Sequence, residues 1–113
     1  MKTPITHIAQ LKDFIVKTLE DKKAKDINVM ELGEKILLAR YMIFASGTSI
    51  KNLNAIAEHV ALELKHQGIK VSIEGLGKSE WVLLDTGDII IHIFHPQART
   101  HFNLEDLWSK NRK

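Results

Sequence analysis

The chain has no cysteine, so it carries no disulfide framework, no thiol nucleophile and no thiolate metal ligand, which fits a reducing compartment and permits others. It also lacks any uninterrupted apolar run near the roughly 20 residues of a membrane span. The start, Met1-Lys2-Thr3-Pro4, leads into a pattern broken by His7, Gln10, Lys12 and Asp13, with no secretory hydrophobic region. A charge bias is missing too. Sixteen basic residues face fourteen acidic ones, short of the excess that usually marks a nucleic-acid binder, so direct RNA contact is expected to be minor or absent. No linker, internal repeat or low-complexity tract interrupts the sequence. These absences describe a single domain of 113 residues, soluble and cytoplasmic, able to bury a core without metal or disulfide.

What is present is a succession of short periodic segments. Thr3-Pro4 reads as a helix start, after which Ile5, Ile8, Leu11, Ile15 and Leu19 recur at three- and four-residue steps to about Asp21 or Lys22. Lys22, Lys23 and Lys25 fit a solvated helix terminus better than a phosphate site; RNA binding through them would fall steeply with salt. Residues 26–32 alternate as a half-buried strand ended by Gly33, and 34–40 form a short connector. Tyr41 to Ser46 is an apolar second strand. It runs through Gly47-Thr48-Ser49 into a helix with Ile50, Leu53, Ile56, Ala57, Val60, Ala61 and Leu64 as its buried stripe and Gly68 as its stop. Residues 70–74 are a third strand and 75–78 a loop. Pro96 starts a helical turn; Leu104, Leu107 and Trp108 suggest another that packs back on the body, before a basic tail, 109–113. Strand–helix–strand order implies a right-handed crossover between the second and third strands. The expected class is α/β, one domain with a mixed sheet of about five strands and two main helices.

The organising stretch is a hairpin from Ser79 to Phe94, two apolar runs around Asp85-Thr86-Gly87-Asp88. A three-residue loop would set Leu83 opposite Ile89 and Trp81 opposite Ile91; a two-residue Thr86-Gly87 loop would shift the pairing by one. Both strands are apolar on both faces. Such a hairpin is buried twice, or covered once and offered once to a partner, and the second alternative locates the function.

Three chemical readings compete with that view. Ser46-Gly47-Thr48-Ser49 between strand and helix has the look of an anion-binding turn and raises a Mg-dependent nucleotidyltransferase. That chemistry needs paired carboxylates nearby, and the adjacent strand offers only Glu74, so a plain helix cap is favoured. His92, His95 and His101 invite a metal site, yet His92 and His95 would converge only if the strand broke at Phe94 or His95; neither metal nor cofactor is expected. No nucleophile-elbow pattern accompanies the serines. Trp81 at the hairpin mouth has the composition of a binding hot spot.

Several motifs coincide with one family. Arg40-Tyr41-Met42-Ile43-Phe44-Ala45-Ser46-Gly47-Thr48-Ser49 is one. Glu80-Trp81-Val82-Leu83-Leu84-Asp85-Thr86-Gly87-Asp88, followed by three isoleucines and His92, is another. Pro96-x-x-Arg99 with Asn103-Leu104-Glu105-x-Leu107-Trp108 completes them, and Ala24-x-Asp26-Ile27 also fits. In order and spacing, over a core of about residues 6–108, the chain resembles the ribosomal silencing factors, the Iojap family. Arg40 stands where that family usually has Asp, and Phe102 where it usually has Tyr.

The resemblance implies a nucleotidyltransferase-like topology without the catalytic carboxylates, hence no enzyme. It implies binding to the large ribosomal subunit through its protein L-fourteen, where the small subunit docks. It further implies that joining is blocked and translation repressed under nutrient limitation; organelle relatives look linked to large-subunit assembly. On the residues' own pattern, Trp81 and Leu83 with Tyr41 and Met42 are expected to anchor the partner, and His92 and Arg99 to give polar definition. So apolar a surface would also pair two copies of the free chain as a homodimer.

Overall fold

A computed structural model describes residues 7–32, 39–77 and 80–110, with backbone alone at 102 and 108–110. In chain order the elements are α1 (Ile8–Asp21), β1 (Lys25–Glu31), β2 (Tyr41–Ser46), α2 (Ile50–His66), β3 (Ser72–Glu74), β4 (Trp81–Asp85), β5 (Ile89–Phe94), α3 (Pro96–Phe102) and α4 (Leu104–Lys110). The helix expected from Thr3-Pro4 starts instead at Ile8, because His7 is extended (φ −120°, ψ 143°). Thr3-Pro4 and most of the connector, 33–38, lie outside the described residues.

The five strands form one sheet in the order β1-β2-β5-β4-β3, mixed as expected. Neighbouring strands run antiparallel except β2 and β5, which pair in parallel from Tyr41 opposite Ile89 to Ser46 opposite Phe94. The strand following α2 is therefore not the neighbour of β2: β3 lies at the far edge, with β5 and β4 between them.

The hairpin adopts neither expected register. Trp81 lies opposite Phe94, Leu83 opposite His92 and Asp85 opposite Ile90. The loop is Gly87-Asp88, closed by Thr86 N–H on Ile89 O at 3.0 Å, with the Thr86 hydroxyl accepting from Ile89 N–H at 3.1 Å. Asp85 Oδ1 accepts from Gly87 N–H at 2.7 Å, and Gly87 takes the positive φ of 96° that the first loop position of a II′-type turn demands. Thr86, just past the end of β4, closes the turn onto Ile89 and is not one of the two loop residues.

Period-two alternation sorts the side chains onto two faces. On the inner face Ile43, Ala45, Val82, Leu84, Ile89, Ile91 and Ile93 are fully buried with Ile15 and Leu19 of α1 and Leu53, Ile56, Ala57, Val60 and Leu64 of α2. On the outer face Met30, Leu32, Ala39, Met42, Phe44, Ile90 and Phe94 form a second core with Ala98 of α3, and Leu104 of α4 packs against it. Leu107, expected to pack back, is 52% exposed.

At the junction of β2 and α2, Ser49 caps the helix by accepting from Asn52 N–H, while Asn52 Oδ1 accepts from Thr48 N–H at 2.8 Å. Gly47 lets the helix approach the strand. A Cβ there would stand 2.7 Å from Leu53 Cβ and 2.8 Å from Leu53 backbone atoms. Gly47→Ala is therefore expected to destabilise the fold by ~1–3 kcal/mol, read from the midpoint of chemical unfolding, because backbone atoms must move to admit the methyl group.

Candidate functional site: the outer face of the sheet

The outer face is built in transverse rows. One row runs Glu74, Leu83, His92, Phe44, Asn28 across β3, β4, β5, β2 and β1, and a second begins Trp81, Phe94, Ser46. The α3 and α4 helices cover the β1, β2 and β5 part of this face. The described side chains of these helices leave the β4 and β3 part uncovered, and Trp81 and Leu83 are only partly buried while every residue of β5 is buried. The hairpin is thus not offered as a whole: β5 is sealed on both faces and β4 alone is presented.

The cover is held by an ion-pair clasp. Arg99 Nε and Nη2 donate to Glu105 at 2.6 and 3.0 Å, Arg99 Nη1 donates to Ser46 Oγ at 2.8 Å, and Asn28 Nδ2 donates to Glu105 Oε2 at 2.6 Å. Asn103, in the left-handed region at φ 50°, breaks the helical path so that α4 turns back and Glu105 meets Arg99. The Arg99 hydrogen bonds, reinforced by Asn28, hold the Glu105 carboxyl below its usual range despite partial burial. Beside the clasp lies a polar hollow of about 510 Å³ that also admits Asp26 of β1, a carboxylate nearer the Ser46 turn than Glu74. Among the described residues no group of three or more histidines or carboxylates is placed to hold a metal ion. His95 sits at the amino end of α3, away from any shared site with His92.

Beneath the open edge is a stack of rings. Phe44 lies 4.9 Å from His92 at 10°, His92 lies 5.6 Å from Trp81, and Phe94 lies 5.3 Å from Trp81. Trp81 Nε1 donates to His92 Nδ1 at 2.9 Å. Burial lowers the His92 pKa to about 4, so near neutral pH the ring is uncharged and, with Nδ1 accepting, carries its proton on Nε2. That Nε2 is buried with no hydrogen-bond partner among the described residues, a deficit of about 1–3 kcal/mol.

Of the six expected contact residues, Trp81, Leu83 and His92 are brought together. Met42 shares their face but is 1% exposed and His92 is 4% exposed, so both support the surface from below. Tyr41 projects from the inner face, with Lys12 of α1 5.7 Å above its ring, because adjacent strand residues point to opposite sides. Arg99 is occupied by the clasp. Sequence reasoning missed Glu105, Asn28 and the Phe44–Phe94 backing; the helix-breaking Asn103 between Arg99 and Glu105 was the signal for the clasp.

The family model described as "Ribosomal silencing factor during starvation" matches residues 5–113. The chain belongs to the ribosomal silencing factor family. It is 42% identical over 95 residues to the ribosomal silencing factor of Zymomonas mobilis, covering 83% of this chain and 71% of that one. It is 31% identical over 101 residues to a mouse protein named "Mitochondrial assembly of ribosomal large subunit protein 1", covering 86% of this chain and 44% of the mouse protein. A crystal structure of a Chromobacterium violaceum protein superposes with TM-score 0.88 at 33% identity, over 92% of this chain and 88% of that one. This silencing-factor scaffold therefore pairs a sealed inner core with a partly open outer face.

Two acid-linked losses of stability follow. His92 has a folded pKa below the unfolded value of 6.5, so the unfolded chain binds more protons as pH falls from 6.5 towards 4, and stability drops by up to roughly 3 kcal/mol across that window. His92→Phe should flatten that part of a stability–pH curve. Glu105 is held low, so its contribution is present above its unfolded value and disappears as pH falls through the lower folded one. In unfolding titrations at pH 7, Arg99→Ala should cost about 2 kcal/mol, between exposed and fully buried ion pairs.

Proposed function

We propose that the chain binds the large ribosomal subunit through ribosomal protein L-fourteen, on the side where the small subunit docks, and there blocks subunit joining. Translation is repressed by occupancy when nutrients are limiting, in the cytoplasm and without catalysis. The observation that carries this reading is the partly exposed Trp81–Leu83 patch of β4, on an outer face whose other large apolar strand residues, Met30, Met42, Phe44, Ile90 and Phe94, are buried. Tryptophan is among the residues that supply the central anchors of protein interfaces, and Leu83 extends the apolar area beside it. Glu74 and Glu80, both exposed, and Asp85 border the patch. Those carboxylates repel phosphate, which favours a protein partner with basic groups around an apolar pocket over direct contact with RNA.

The size suits a steric block. With a radius of gyration of 13.4 Å and a shortest extent of 20 Å, the bound chain keeps apart two surfaces that must otherwise touch. An interface of ~800 Å² per partner would hold it. Nucleotidyl transfer is poorly supported, since Leu53 fills the space beside Gly47 and Glu105 is engaged by Arg99 and Asn28. The name of the mouse relative favours a second reading, large-subunit assembly without silencing, through the same face. In the free chain that face would pair two copies as a homodimer.

Co-sedimentation with separated subunits tests the proposal. The parent chain should travel with the large subunit and lower its association with the small one. Trp81→Glu should weaken binding about 30-fold or more, the equivalent of ~2 kcal/mol at an aromatic anchor. Undiminished binding by a folded Trp81→Glu protein would contradict the docking face. Binding without any effect on joining would favour assembly.

A further inference from the structure

The outer face contains one polar arrangement that packing alone does not explain. His92 is 96% buried by its 4% exposure, lies between Phe44 and Trp81, and leaves Nε2 without a hydrogen-bond partner among the described residues. A phenylalanine would fill that place in the ring stack with no buried polar atom. What the imidazole adds is an acceptor: the Nδ1 lone pair, 2.9 Å from the indole Nε1 of Trp81. The two residues are diagonal neighbours, since Trp81 lies opposite Phe94 and Leu83 opposite His92, and an indole spans such a diagonal.

We propose that His92 is the positioning residue for the docking face: it never touches the partner, but by accepting the indole N–H of Trp81 and backing its ring it locks that side chain in the one orientation the partner reads. This rests on the docking role of Trp81 proposed above. With Nε1 bonded to His92, the polar N–H of the indole is already engaged and what Trp81 offers a partner is hydrocarbon, so the partner's pocket at this point is apolar. Holding the ring before contact removes an ordering cost from association, and the benefit appears as slower dissociation. His92 thus serves recognition from beneath the surface, through Trp81.

Two variants separate this role from packing. His92→Phe keeps a planar ring in the stack and removes the acceptor. His92→Asn removes the ring but keeps an amide oxygen near the place of Nδ1. The readouts, on the full chain, are hydrogen exchange of the Trp81 indole N–H by NMR and affinity for isolated large subunits. His92→Phe should unfold cooperatively, exchange its indole proton at least about tenfold faster and bind about tenfold more weakly, whereas His92→Asn should recover much of both. A His92→Phe protein that protects the indole and binds like the parent overturns the proposal. Should His92→Phe fail to fold, His92→Asn decides alone: slow exchange with near-parental affinity supports the role, and loss of both overturns it. Trp81→Ala distinguishes the levels. If it binds like the parent, the docking face itself is wrong; if it weakens binding while His92→Phe does not, only the role of His92 falls.

Discussion

The parallel ladder between β2 and β5, with Tyr41 opposite Ile89 and Ser46 opposite Phe94, decides which side chain reaches which face of this molecule. It places Ile43 beside Ile91 for the inner core and, one residue along, Phe44 beside His92 for the outer one. A slip of β2 by one residue would exchange its two sets, turning Tyr41 and Ile43 to the outer face and Met42 and Phe44 to the inner one. Both strands can be apolar throughout because both of their faces are covered, by α1 and α2 on one side and by α3 and α4 on the other.

The outer cover is incomplete by construction. After Phe94 the chain turns at His95-Pro96, breaks at Asn103 and is pinned over β1 and β2 by Arg99, Glu105, Asn28 and Ser46. Pinned there, its described side chains pack on the β1, β2 and β5 side, and beyond β4 the sheet has only the three residues of β3. Trp81 and Leu83 are left partly exposed at the border of a well-packed core. The border is rigid because Phe44, His92 and Phe94 stack behind it, and rigid apolar anchors with solvated carboxylates around them suit recognition of another protein.

Much of this was legible in the residues. Tyr41 to Ser46 and the Ile50 stripe gave a strand and a helix whose limits the structure keeps, because an unbroken apolar run, a serine cap and Gly68 mark them locally. The hairpin register was not legible. Thr86 can be a loop residue or close the turn, and the choice is made by its hydroxyl bond to Ile89, which no propensity encodes. Grouping Tyr41 with Met42 overlooked strand alternation, which the sequence did contain. The exposure of β4 against the burial of β5 depends on where α3 and α4 settle, and that depends on a contact between Arg99 of one short helix and Glu105 of the next. The motifs quoted for the family span these elements, so family membership could be read where the geometry of the site could not.

The central claim is that the β4 side of the sheet, not the helical side, meets the ribosome. A photo-crosslinking residue placed at position 83 and, separately, at position 62, an exposed leucine of α2 beside a groove formed with Ile69, Val71 and Ile73, tests it directly on isolated large subunits. The account predicts an adduct with ribosomal protein L-fourteen from position 83 and none from position 62. An adduct from position 62 with none from position 83 would contradict it.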